Sequence, residues 1–309
     1  MQRQPYSDIF HHCHAACLAA GDDHQQALWH IVQLLVIKAY DERSTKSLAN
    51  RAVLASSADD QKRLCDQLRQ LFVQACASWP ELELPPFTLP DNLLITLIQL
   101  LAPHHFFDRE APADIFGLLY TCLTPLHTKR LYGQFFTNIL ITEALVQLLS
   151  LRPDDCLVDP TCGTGGLLLA AVCAAHRASA GAASLQLWGI ERDPTLVRLC
   201  RIALTIAGTQ ACIGQGDYLM PSQIVSPSNA LDISSIRPTV ILLNPPYGSR
   251  RANRVTDARL LDRFVTGHVW RQQPDGSWYA TDTLQTRTGV APALRSVRDN
   301  GSNRKKRPG

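Results

Sequence analysis

From residue 155 onward the chain alternates short apolar runs with helical patterns, and this alternation restricts its fold more than any other feature. The runs CLVDP, LQLWGIE, ACIGQGD and TVILLNPP read as four strands, and GGLLLAAVCAAHRA and DPTLVRLCRIALTIAG read as helices between the first three. Apolar strands separated by helices belong in a parallel sheet covered on both faces, an α/β architecture. Ligands bind such sheets at the carboxyl ends of the strands. The polar residues that close the four runs, Asp159, Glu191, Asp217 and Asn244, are therefore expected on one rim.

Ahead of this region the pattern is helical from about residue 8 to 78. QALWHIVQLLVIKAYDE places Leu28, Ile31, Leu34, Leu35 and Lys38 at helical spacing, and ADDQKRLCDQLRQLFVQACASW does the same with Leu64, Leu68, Leu71 and Ala75. Asp59 and Asp60 suit the start of the second helix. Four prolines in WPELELPPFTLPD then stop helix formation. Helices resume in NLLITLIQLLA and DIFGLLYTCLT, and TGHVWRQQPDGSWYATD reads as a hairpin around Pro274-Asp275-Gly276.

With 309 residues, 46% of them hydrophobic and 18% charged, the chain can bury a large core and form two domains. Its longest apolar stretches are too short to span a bilayer, and the amino terminus lacks a basic region followed by an apolar signal core, so a cytoplasmic location is expected. Ten cysteines without regular spacing sit mostly in apolar helical patterns, for example Cys65, Cys76, Cys173 and Cys200, as small core hydrophobes. The HHCHAAC cluster has no second ligand pair at zinc-like spacing, so a helix with buried Cys and His is the better reading there. Residues 295–309 hold six Lys/Arg against one Asp and look disordered. That tail accounts for more than the net charge of +3, so the body of the chain is not basic. A nucleic-acid surface must then be local, and SRRANRVTDARLLDR, with five Arg against two Asp, is the candidate.

The first strand leads through DPTCGTGG into a helix. Gly163, Gly165 and Gly166 permit a tight turn and let a ligand approach backbone N–H groups. The loop lacks the Gly-Lys-Ser/Thr ending of a phosphate-binding loop, which disfavours an NTPase. Glu191 is suited to accept hydrogen bonds from both ribose hydroxyls, and Asp217 to accept from an adenine amine. Each alone is explained equally well as a cap on the next helix. Together they describe a nucleoside cofactor held without phosphate recognition.

In this order DPTCGTGG, GIERDP, GQGDYL and NPPYG resemble the three cofactor motifs and the catalytic motif of S-adenosylmethionine-dependent DNA adenine methyltransferases. GQFFTN at residues 133–138 resembles the Gly-Gln-Phe-Phe-Thr-Pro signature that precedes the catalytic domain in modification subunits of type I restriction-modification systems. Asn138 replaces the usual proline, at some loss of loop rigidity. IVQLLVIKAYDE resembles the helical amino-terminal domain of those subunits, where a Lys-x-x-Asp-Glu ending is usual. The resemblance covers roughly residues 8–294.

The resemblance implies a Rossmann-like methyltransferase domain, with a doubly wound but incomplete sheet, preceded by a helical domain. The expected boundaries are 1–84 for the helical domain, 85–294 for a methyltransferase domain truncated after NPPY, and 295–309 for the basic tail. S-adenosylmethionine is the implied cofactor, bound by Phe136, Thr137, Asp159, Thr161, Gly163, Gly165, Gly166, Glu191 and Asp217, and no metal is implied. Asn244, Pro245, Pro246 and Tyr247 are the implied catalytic residues. The Asn244 oxygen and the Pro245 carbonyl accept from the amine of an extruded adenine, Tyr247 stacks on its ring and Pro246 stiffens the turn. The implied partners are double-stranded DNA and the specificity and restriction subunits, with no membrane. Two alternatives stay open: a catalytically inactive truncated subunit that binds cofactor or partner only, and a protein or RNA amine methyltransferase with the same NPPY chemistry.

Overall fold

Asp23 starts the helix that organises the amino-terminal half. Its carboxylate accepts from the Gln26 N–H while the Gln26 side chain accepts from the Asp23 N–H, a capping box that begins α2 (His24–Asp41). Around α2 pack α1 (Gln4–Ala19), α3 (Ala58–Ser78) and, beyond α4 (Asp91–Leu101), which packs on α1 and α3, α5 (Ile115–Leu123), so that α2 is buried on nearly every side. Ser57 caps α3, with Asp59 and Asp60 in its first turn as predicted. The proline segment is held in turn by Gln33, which is fully buried and donates to the carbonyls of Pro85 (2.7 Å) and Pro86 (3.1 Å).

Burying α2 all round requires a partner for Lys38. Its Nζ lies 3.2 Å from Glu42 Oε1 and donates to the Ala102 carbonyl at the end of α4 (3.3 Å), with both side chains almost wholly buried. Glu42 also accepts from the N–H groups of Phe106 and Phe107 (3.3 and 3.1 Å). The Lys-x-x-Asp-Glu ending is thus an internal ion pair that anchors the chain leaving α4, and it explains why a lysine falls on the apolar stripe of the sequence.

This computed structural model describes residues 4–43, 57–107, 114–124, 137–178, 185–220, 223–225, 236–245, 255 and 257–284. They fall into two units, one comprising residues 1–125 and 136–244 and the other residues 126–135 and 245–309. Among the described residues no helix is long and apolar enough to cross a membrane, no group of side chains is suited to hold a metal, and all ten cysteines are free thiols. The HHCHAAC segment lies within α1, with Cys13 and Cys17 buried. The basic tail lies outside the described residues.

After α6 (Ile139–Gln147) the first unit continues as β1 (Cys156–Asp159), α7 (Gly166–Ala178), β2 (Gln186–Glu191), α8 (Pro194–Ile206), β3 (Ala211–Gln215) and β4 (Val240–Ile241). The four strands are parallel, in the order β3-β2-β1-β4. Right-handed crossovers that step twice in one direction put α7 and α8 on one face. That face joins Leu157, Leu187, Ile213 and Leu242 to the main core. On the other face Trp188 and Cys212 are half-buried, while Ile241 and Leu243 are 54% and 43% exposed, so the edge beside β4 is the less covered part of the sheet. Strand β4 is also shorter than its apolar run, pairing only with Leu157 and Val158 of β1.

The second unit contains α9 (Ala258–Asp262), a 3-10 turn (Val265–Gly267) and the antiparallel pair β5 (His268–Gln272) and β6 (Trp278–Leu284). The hairpin turns at Pro274-Asp275-Gly276 as expected, with Gly276 at φ 87°.

Removing the Glu42 carboxylate would leave the Lys38 ammonium buried without its counter-charge. Glu42→Ala should therefore lower the unfolding free energy by about 3–5 kcal/mol, measured by denaturant titration.

Candidate functional site

The strand order turns back at β1, with β2 and β3 on one side and β4 on the other, and such a switch point opens a crevice above the strand ends. Asp159 ends β1 there. Its buried carboxylate accepts from the Thr161 N–H (3.0 Å), which starts the glycine loop. The loop then leans on β2, with the Cys162 N–H donating to the Ile190 carbonyl (3.0 Å) and the Gly163 N–H donating to Glu191 Oε2 (3.1 Å). Gly163 and Gly165 take φ values of 56° and 88°, in the left-handed region that favours glycine. Gly165 is constrained a second time, because a Cβ there would lie 2.8 Å from Cys200 Sγ on α8.

Glu191 accepts three backbone N–H groups, from Gly163, Arg192 (2.7 Å) and Asp193 (2.9 Å). A carboxylate has about four acceptor positions, so this arrangement fixes its plane and leaves capacity for a ligand hydroxyl. Burial raises its pKa, and the three N–H bonds oppose that rise. Asp159 is affected more strongly. Burial, together with the nearby Glu191 charge, pushes it up to about 7 against the opposing Thr161 bond.

The end of β4 joins the same crevice. Asn244 Nδ2 donates to Thr137 Oγ1 (3.0 Å), and the Thr161 hydroxyl donates to the Asn244 carbonyl (3.3 Å). The side-chain bond uses the donor end of the amide, so the acceptor end, Oδ1, points elsewhere. Hydrogen bonds thus link Thr137, Asn244, Thr161 and Asp159 in one group and Gly163 with Glu191 in another, and Gly165 and Gly166 carry the loop into α7. Asp217, two residues beyond β3, is half-buried and accepts from the Leu219 N–H (3.0 Å), with no described bond to the other site residues. Pro245 is half-buried and falls in the second unit. Phe136, Pro246 and Tyr247 lie outside the described residues.

Two features were not visible in the sequence reading. Asn138, expected only to loosen its loop, caps α6 by accepting from the Leu140 N–H (2.9 Å) at φ −60° and ψ 136°. It therefore keeps a proline-compatible backbone and adds a cap. An Asn just ahead of an apolar helical run was the available signal. Asp114 and Thr164 also meet, with Thr164 Oγ1 donating to Asp114 Oδ2 (2.6 Å) from fifty residues away. No local pattern encodes that contact.

Residues 111–279, just over half of the chain, match the N-6 DNA methylase family. The chain belongs to this family. The matched region runs from just before Asp114 through the glycine loop, the β2 and β3 ends and Asn244 into β6. Over 164 residues, 52% of this chain, it is 29% identical to the methylase subunit of the type I restriction enzyme MjaIX of Methanocaldococcus jannaschii. That match spans 28% of the relative's length. The methyltransferase subunit of a type I restriction-modification system from Streptococcus thermophilus is 15% identical, with 89% of this chain and 69% of that chain covered and a TM-score of 0.48.

Because the methylase fold raises the Asp159 pKa, the folded state holds a proton that the unfolded chain, with a carboxyl near pKa 3.9, releases first. The Asp159 contribution to stability is therefore full below about pH 4 and lost as pH rises to about 7. Asp159→Asn keeps the acceptor for Thr161 but does not ionise. The variant should gain stability relative to the parent protein as pH rises from 4 to 7.5, in chemical unfolding measured at each pH.

Proposed function

We propose that this N-6 DNA methylase transfers a methyl group from S-adenosylmethionine to the exocyclic N6 of an adenine extruded from double-stranded DNA. The observation that carries this reading is the orientation of Asn244. Its amide nitrogen is held by Thr137 at the switch point, beside the glycine loop, so that Oδ1 is the end left to meet an incoming amine. An adenine amine is a weak nucleophile because its lone pair is delocalised into the ring. Hydrogen bonds from that amine to Asn244 Oδ1 and the Pro245 carbonyl localise the lone pair for attack.

The donor set fits the cofactor. A fixed Glu191 carboxylate suits a ribose diol, Asp217 an adenine amine, and the glycine loop at Gly163, Gly165 and Gly166 a close approach of the ligand to its backbone. Asp159, whose raised pKa falls again beside positive charge, suits the cationic methionine end, to which Thr161, Thr137 and, by the family motif, Phe136 are also assigned. The bound cofactor supplies a sulfonium-activated methyl group. The S–CH3 bond would break as the new N–C bond forms, leaving the neutral thioether S-adenosylhomocysteine, and the amine would shed its proton to solvent, so no strong base is required; in-line positioning provides much of the acceleration. Tyr247 stacks on the extruded base, a contact worth about 1–3 kcal/mol. The arginines after Gly248 meet phosphates and so position the duplex without reading it.

In this reading the chain is a cytoplasmic modification subunit, with a specificity subunit choosing the sequence and a restriction subunit sharing the complex. Methyl transfer from labelled S-adenosylmethionine to unmodified duplex, with and without the specificity subunit, tests it. Label should appear at adenine N6, and Asn244→Ala should lower the rate by about a hundredfold or more. Binding of the cofactor without transfer would refute the catalytic assignment and favour a binding-only subunit.

A further inference from the structure

The contact between Asp114 and Thr164 joins the helical bundle to the glycine loop. Asp114 caps α5, with Oδ1 accepting from the Gly117 N–H (2.7 Å), and Oδ2 accepts from the hydroxyl of Thr164 (2.6 Å), whose side chain is buried in the middle of the loop. The space for this carboxylate is made by glycines from both segments. A Cβ on Gly117 would lie 2.1 Å from Asp114 Oδ2 and 2.6 Å from Thr164 Oγ1, and one on Gly166 would lie 3.1 Å from the same Oδ2. Capping a helix needs no more than the bond to Gly117. The second oxygen, the buried hydroxyl and the room around them serve the loop.

We propose that Asp114 is a positioning residue for the cofactor site, holding the glycine loop through Thr164 in the shape that presents its backbone to the ligand. The loop is otherwise tied at its start, through Thr161 to Asp159 and Asn244, and on its β2 side, through Cys162 to Ile190 and Gly163 to Glu191. Those bonds hold the loop up to Gly163, and the Asp114 carboxylate holds it at the point where it enters α7. A charge-assisted bond at a buried hydroxyl is strong and directional enough to set that geometry before a ligand arrives. Asp114 need not touch the cofactor. Its effect on a ligand rests on the S-adenosylmethionine reading above, whereas its effect on the loop does not.

Two measurements on the full chain separate the two. The first is amide hydrogen exchange of residues 161–167 without ligand, and the second is calorimetric affinity for S-adenosylmethionine. Thr164→Val removes the hydroxyl while leaving the Asp114 cap on Gly117, so a lost clamp is distinguished from a frayed α5. Asp114→Ala removes both bonds, and Asp114→Asn can keep both, with its amide donating to Thr164. Thr164→Val and Asp114→Ala should each speed loop exchange and weaken binding by about tenfold, with Asp114→Asn close to the parent protein. Unchanged exchange in Thr164→Val overturns the clamp, and so does faster exchange with unaltered affinity, since the contact would then be structural only. If the parent protein binds no S-adenosylmethionine, the cofactor reading falls, while the exchange result still decides whether Asp114 holds the loop.

Discussion

The register of β1 against its two neighbours is the constraint on which the rest of this site depends. Parallel pairing on both sides of a four-residue strand sets Gly189 of β2 level with Asp159 and Ile241 of β4 level with Val158, so Glu191 and Asn244 lie just beyond the end of β1. The strand order reverses at the same place, so the loop leaving β1 is not crowded by a crossover from a neighbouring strand. Glu191 and Asn244 then reach that loop from opposite sides, one through a backbone N–H and the other through a threonine hydroxyl. A shift of one residue in either pairing would turn these side chains to the other face of the sheet.

Close approach is the second requirement, and small residues meet it. Gly189 on β2 leaves room for Cys162 Sγ, which a Cβ there would approach to 2.8 Å, and Gly165 does the same for Cys200. The thiols fill these gaps as core atoms, which is why cysteines are scattered along the sequence without a pairing pattern. The bundle is fastened to the same region. Arg198 on α8 stacks over the Trp29 ring at 4.0 Å and donates to the Glu83 carbonyl, and the Asp114 carboxylate grips the loop directly. Helices and sheet accordingly form one unit. The ion pair of Lys38 and Glu42 stabilises the helical side of that unit by orienting the chain after α4.

Much of this was legible in the residues. The apolar runs marked all four strands, and turn chemistry marked the loop and the hairpin, because pattern and local conformation depend on neighbours in sequence. Rim residues were legible as a set because a parallel sheet has one ligand-binding end. The length of β4 was not, since how far an apolar run pairs is set by its fit to a strand distant in sequence. Nor was the role of Asn138, where a change from the usual proline looked like a loss until its side chain was seen capping α6.

By itself the sequence determined the element types, their order and the chemical identity of the rim: an acidic, amide-bearing set beside a glycine loop. Those follow from periodicity and composition over a few residues. Tertiary structure alone decided which of the rim residues meet. It tied Asn244 to Thr137, brought the Gly163 N–H to Glu191, buried Asp159 far enough to raise its pKa to about 7, and brought Asp114 to Thr164. Desolvation and long-range hydrogen bonds arise only when segments distant in sequence are packed together, so no local pattern records them.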